Sequence, residues 1–215
     1  MRIMKQYNYT VLIHGQLSTN KFRYPNEKRE VICSTTLIQG NGVNIIVDPG
    51  WRDEPLLEQL KLHGLSPEQI DIVYVTHMHA DHYRSIRLFP QAKKLGYRKE
   101  IDNWRNKISE ADRDILENLE PVDKEIYEDI TIVETPGHTL EHTSVLFQHQ
   151  GKQVLVAADA VLVIEYFEHR EVHVISEDQE LARQTIDKVR ALADIIIPGH
   201  DAPFENWFKD NKQRS

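Results

Sequence analysis

A mixed α/β fold is predicted by three features of the 215-residue chain. It opens with short β-branched runs, it continues with apolar runs that alternate with helix-like stretches, and four of the apolar runs end on histidine or aspartate. The length suffices to bury a substantial core. No Ser/Gly-rich or low-complexity stretch separates regions of different composition, so residues 1–215 are expected to form a single domain.

Taken in order, residues 11–13, 35–38 and 43–47 are apolar and β-rich, and the last run is closed by Asp48-Pro49-Gly50. They are expected to begin an antiparallel sheet. Apolar residues at helical spacing predict helices over 54–63, 103–118 and 177–192. Four further runs read as strands with chemistry at their C-terminal ends. Ile72-Val73-Tyr74-Val75 leads into His77-Met78-His79-Ala80-Asp81-His82, and Ile130-Thr131-Ile132-Val133 leads into Thr135-Pro136-Gly137-His138. Val154-Leu155-Val156 leads into Asp159, and Ile195-Ile196-Ile197 into Pro198-Gly199-His200. If these ends share one sheet edge, all seven groups can converge where open α/β folds commonly place their sites.

The residue types point to metal binding. His77 and His79 alternate in an extended segment and so point the same way, able to hold one ion. Asp81 and His82 start the following turn or helix and diverge from that pair, which suits a second ion. Imidazole and carboxylate donors fit Zn²⁺, Fe²⁺ or Mn²⁺. The only cysteine, Cys33, rules out both an internal disulfide and a thiolate-rich zinc site.

The cluster His77 to His82, followed by His138, Asp159 and His200, resembles the metallo-β-lactamase superfamily. Leu88-Phe89-Pro90, Ser176-Glu177-Asp178 and the run 193–200 are similar to its group around metallo-β-lactamase-domain-containing protein 1. The resemblance implies an αββα sandwich of two mixed β-sheets flanked by helices, with the site along one edge. It also implies two divalent metal ions, zinc foremost with iron or manganese as alternatives. His77, His79 and His138 would bind the first ion, Asp81, His82 and His200 the second, and Asp159 would bridge them.

Such a pair lowers the pKa of a shared water and leaves a hydroxide poised to attack, with Asp81 as the catalytic group that orients it and relays its proton. Hydrolysis of a small ester, thioester, lactone or phosphoester is expected. Other readings stay open: an RNA or phosphodiester nuclease, a mononuclear iron persulfide dioxygenase, and a noncatalytic metal-binding module. The chain departs from the family in two places. Tyr83-Arg84-Ser85 follows Asp81-His82 where a Gly-Gly or Gly-Asn pair is common, and Leu162 stands where the superfamily's homoserine lactonases carry a catalytic tyrosine; Tyr83 and Tyr166 are candidate substitutes, with a ring packed at the rim or in the core the favoured reading of each.

Supporting groups follow from position. Asp48 is expected to accept a hydrogen bond from a ligand imidazole, as metal-bound histidines usually require. Thr139 lies beside His138, and His142 is expected to be an ordinary surface or packing residue. Between positions 84 and 107, eight Lys/Arg face only Glu100 and Asp102, a local balance of +6 in a chain of net charge -8. Tyr83, Arg84 and Arg98 are therefore candidate contacts for an anionic small-molecule substrate. The acidic whole argues against a nucleic-acid surface. No apolar run approaches the roughly 18 residues that span a bilayer, and positions 1–20 lack the apolar core of a signal peptide. A cytoplasmic protein without membrane attachment is expected, with a homo-oligomer open.

Overall fold

The structure is a computed structural model that describes residues 4–211. Among the described residues twelve strands form two six-stranded sheets. The first contains β1 (Asn8–Ile13), β2 (Thr35–Gly40), β3 (Val43–Val47), β4 (Ile72–Val75), β5 (Lys93–Tyr97) and β6 (Glu120–Val122), side by side in that order. The three opening strands pair antiparallel, as the sequence suggests, and β3 to β6 run parallel. The second sheet contains β7 (Glu125–Tyr127), β8 (Ile130–Glu134), β9 (Thr143–His149), β10 (Lys152–Ala158), β11 (Ile195–Pro198) and β12 (Phe204–Glu205). There only β10 and β11 are parallel.

Alternation along the strands builds the layers, because successive side chains leave a strand on opposite faces. Ile45, Val47, Ile72 and Tyr74 of the first sheet meet Val145, Val154, Val156 and Ile197 of the second in one buried cluster between the sheets. The intervening residues Ile46, Val73 and Val75 face outward and are covered by Leu56 and Leu60 of helix α1 (Asp53–Leu62) among others. On the far side Leu155, Ala157 and Ile196 pack on Phe167, Ile186 and Val189. Helix, sheet, sheet, helix is thus the αββα sandwich.

The remaining helices are α2 (Ala80–Tyr83), α3 (Arg98–Trp104), α4 (Arg113–Glu117), α5 (Ile164–His169), α6 (Gln179–Leu192) and α7 (Trp207–Asn211). The expected helix over 103–118 is corrected: α3 ends at Trp104, and α4 begins only at Arg113. Trp104, Ile108 and Ile115 do have helical spacing, and all three pack in the same cluster. The chain breaks between them at Ser109, which is extended, while its hydroxyl donates to Asp112 (3.0 Å). Tyr83 and Arg84 also bond that buried carboxylate, so tertiary partners override local propensity. Among the described residues no helix is long and apolar enough to cross a membrane.

Candidate metal centre

Strands β3, β4, β8, β10 and β11 deliver Asp48, His77, His138, Asp159 and His200 just past their C-terminal ends. Two backbone devices aim Asp159. The β10–β11 register shifts between Val156 and Ala158, and Ala158 adopts a left-handed conformation (φ 45°). Bulges and left-handed non-glycine residues of this kind turn a side chain out of the pleat at some energetic cost. Helix α2 starts immediately after His79 and carries Asp81 and His82.

The seven candidate ligands gather into two groups. His77, His79, His138 and Asp159 form one and Asp81, His82 and His200 the other; within each group one donor atom per residue lies within 4.8 Å of the others. Asp159 stands between them. Its Oδ2 is 3.0 Å from His138 Nε2 and 3.8 Å from His77 Nε2, and its Oδ1 is 3.3 Å from both His82 Nε2 and His200 Nε2. His138 Nε2 lies 2.9 Å from His79 Nδ1. Asp81 Oδ2 is 3.8 Å from the Nε2 atoms of His82 and His200. Five of the seven are buried, whereas His79 and Asp81 are partly exposed and mark the side open to solvent.

The donor set fits metal ions. His77 Nε2, His82 Nε2 and Asp159 Oδ1 are buried yet make no hydrogen bond among the described residues, and buried polar atoms are otherwise nearly always satisfied. Burial, reinforced by neighbouring imidazoles, holds His77 far below the usual histidine pKa and His79 at about 4. Both rings are thus neutral, the form that binds metal. At His82 and His200 burial is outweighed by carboxylates, Asp159 foremost, which raise both pKa values. The same imidazoles hold Asp159 ionised against the cost of its burial. A cation on these nitrogens would take the place of the proton.

Asp48 reaches both groups. Its Oδ2 accepts from His82 Nδ1 (2.9 Å) and from the Thr76 hydroxyl (2.7 Å), while its Oδ1 accepts from the Thr76 amide (2.8 Å). Because that hydroxyl donates to Asp48, its oxygen can accept from His77 Nδ1 at 3.1 Å. One carboxylate therefore leaves Nε2 free as a donor atom on a histidine of each group. On His200 the Ile32 carbonyl does the same, accepting from Nδ1 at 2.8 Å.

Several other expectations change. Tyr83 is buried and donates to Asp112, so it packs in the core instead of facing substrate. Arg84 pairs with Asp112 and Arg98 with Asp123. Neither lines the cavities that touch Asp159 and His200. Ion pairs hold seven of the eight cations of the basic segment, Arg87, Lys93, Lys99, Arg105 and Lys107 included, so the local excess of charge is largely neutralised. Tyr166 lines the apolar cavity beside Asp159. The groups beside the His200 cavity are instead Gln16, Arg23, Tyr24 and Arg29, residues that carried no motif.

Thr139 donates to Glu100 and not to an imidazole. His142 is fully buried, a packing residue bonded to Thr135, with its ring centroid 4.9 Å from that of His77. Sequence reasoning missed Glu100 and Trp104. Burial raises the Glu100 carboxyl to about 7 although the Met78 amide and Thr139 hydroxyl favour its charged form. Trp104 sets its ring edge-to-face on His79, centroids 5.7 Å apart.

Known proteins resemble this chain in sequence and in fold. Residues 29–200 match the family profile described as the metallo-beta-lactamase superfamily. Metallo-beta-lactamase domain-containing protein 1 of Xenopus laevis is 32% identical over 173 residues, covering 80% of this chain and 71% of its own. A protein of Methanocaldococcus jannaschii named as a probable metallo-hydrolase is 31% identical over 159 residues, covering 73% of this chain and 70% of its own. The crystal structure of an N-acyl homoserine lactone hydrolase, with N-hexanoyl-L-homoserine at its catalytic metal center, superposes with a TM-score of 0.71. The match covers 100% of this chain and 97% of that one at 19% identity, a likeness of fold.

Proposed function

The chain belongs to the metallo-β-lactamase superfamily and is a metal-dependent hydrolase, and from this we propose that it works with two divalent ions, zinc foremost, on a small ester, thioester, lactone or phosphoester. The observation that carries the two-ion reading is Asp159, a single buried carboxylate whose oxygens lie between two groups of imidazoles. When bound, the ions would supply a water acidified toward neutrality and would polarise the oxygen of the attacked carbonyl or phosphoryl group.

The chain's residues do the rest. His77, His79 and His138 would hold one ion, and Asp81, His82 and His200 the other. Asp159 would fix their spacing and offset the repulsion between two dications. Asp48, directly and through the Thr76 hydroxyl, would leave Nε2 of His82 and His77 free to bind the ions. Asp81, partly exposed on the open side, is suited to orient the attacking water and take up its proton. No covalent nucleophile is required, and the fully buried thiol of Cys33, its pKa raised by that burial, could not serve as one.

A panel of esters, thioesters, lactones, phosphodiesters and RNA, assayed with metal-loaded and chelator-stripped protein, tests the activity. Turnover of at least one small-molecule class is expected, lost on stripping and restored by zinc. Oxygen consumption with one iron per chain would favour the dioxygenase, and a metal-loaded protein inert across the panel would favour the binding module.

A further inference from the structure

We propose that Glu100 is a positioning residue for the first group of metal ligands, its buried carboxylate fixing the two backbone segments that present His77, His79 and His138. This rests on the two-ion reading. Glu100 lies in the first turn of α3, only 2% exposed. Its Oε1 accepts from the Met78 amide at 3.0 Å, and the Thr139 hydroxyl lies 3.2 Å from each of its oxygens.

Those partners are not arbitrary. Met78 separates His77 from His79, and Thr139 follows His138, so one carboxylate ties the loop after β4 in the first sheet to the loop after β8 in the second. The bond to the Met78 amide anchors the peptide that joins His77 to His79, whose rings lie edge-to-face with centroids 4.8 Å apart. One helical turn further along α3, Trp104 packs on His79, so the same short helix buttresses this group twice. Neither of these contacts involves Asp81, His82 or His200; the second-group imidazoles of His82 and His200 are instead held by Asp48 and the Ile32 carbonyl. Burying a carboxylate is unfavourable unless its oxygens are satisfied, and Glu100 spends both of its oxygens on groups adjoining the ligands.

A positioning role confined to the first group affects one ion and not the other. Zinc titration of the metal-free protein against a competing chromophoric chelator would resolve two binding steps. Glu100→Ala is expected to weaken one step about 10–100-fold, the usual cost of losing a group that orients metal ligands, and to spare the other. The spared step must be the one that His200→Ala abolishes. Glu100→Gln, whose carbonyl oxygen can still accept from Met78 and Thr139, is expected to restore the weakened step to near its wild-type value. Thr139→Val removes a single hydroxyl and should weaken the same step; it carries the test if the alanine variant does not fold. Equal loss of both steps, loss of neither, or a glutamine variant as weak as alanine would overturn the positioning role. Wild-type protein that binds only one ion would overturn the two-ion reading instead, and Glu100 would then stand or fall by whether its removal weakens that single step.

Discussion

Asp159→Ala is expected to abolish hydrolysis and to weaken both metal-binding steps together. Loss of a group that only orients a ligand costs about 10–100-fold in affinity, and Asp159, with one oxygen 3.0 Å from His138 and the other 3.3 Å from His82 and His200, should cost more than that at each step. It is also the only carboxylate in the first group, so its removal leaves only three imidazoles there. Asp81→Asn should separate the two roles. It keeps an oxygen donor at the open side and so retains most of the metal, but it cannot take up a proton, and turnover should fall severely. Metal content and steady-state rates of the two variants check this, and full metal with wild-type rates in both would show that the ligand assignment is wrong.

Gly199→Ala is the second substitution with a large expected effect, although it removes nothing. A β-carbon at this position would stand 2.0 Å from Asp159 Oδ1 and 2.9 Å from the carbonyl carbon of Ala158. Both are far inside van der Waals contact. The Gly199 amide donates to the Ala158 and Val161 carbonyls, so the backbone is held and cannot retreat easily. Either the carboxylate swings away or the β10 and β11 ends part. Overpacking of this kind costs about 1–3 kcal/mol, and the expected result is a lower melting temperature in the metal-free protein together with weakened metal binding. A variant that melts and binds zinc like the wild type would show that Asp159 moves freely, which a bridging role does not allow.

Much of this was legible in the sequence for a definite reason. Runs such as Ile72-Val73-Tyr74-Val75 and Ile195-Ile196-Ile197 are apolar on both faces because each sheet is covered on both sides, and so their ends stand out. Strand β5, with Lys93-Lys94 at its start, lacked that signal and was not anticipated. The seven candidate ligands follow from strand ends, which are local in sequence. What stayed hidden depends on partners far along the chain. Arg84 and Arg98 read as free cations until Asp112 and Asp123 are found beside them. Glu100 read as a minor acidic residue in a basic segment, and only the fold brings Met78 and Thr139 to its oxygens. His142 and Thr135 likewise meet only once β8 and β9 pair.

The central claim is that one carboxylate spans two metal sites, and metal stoichiometry tests it most directly. Protein stripped with chelator, reloaded with excess zinc and freed of unbound metal should contain close to two ions per chain, because seven donors in two groups exceed what one tetrahedral or octahedral ion can use. Asp159→Ala treated in the same way should fall well below that value. A wild-type preparation that saturates at one ion per chain, whichever metal is offered, would contradict the account.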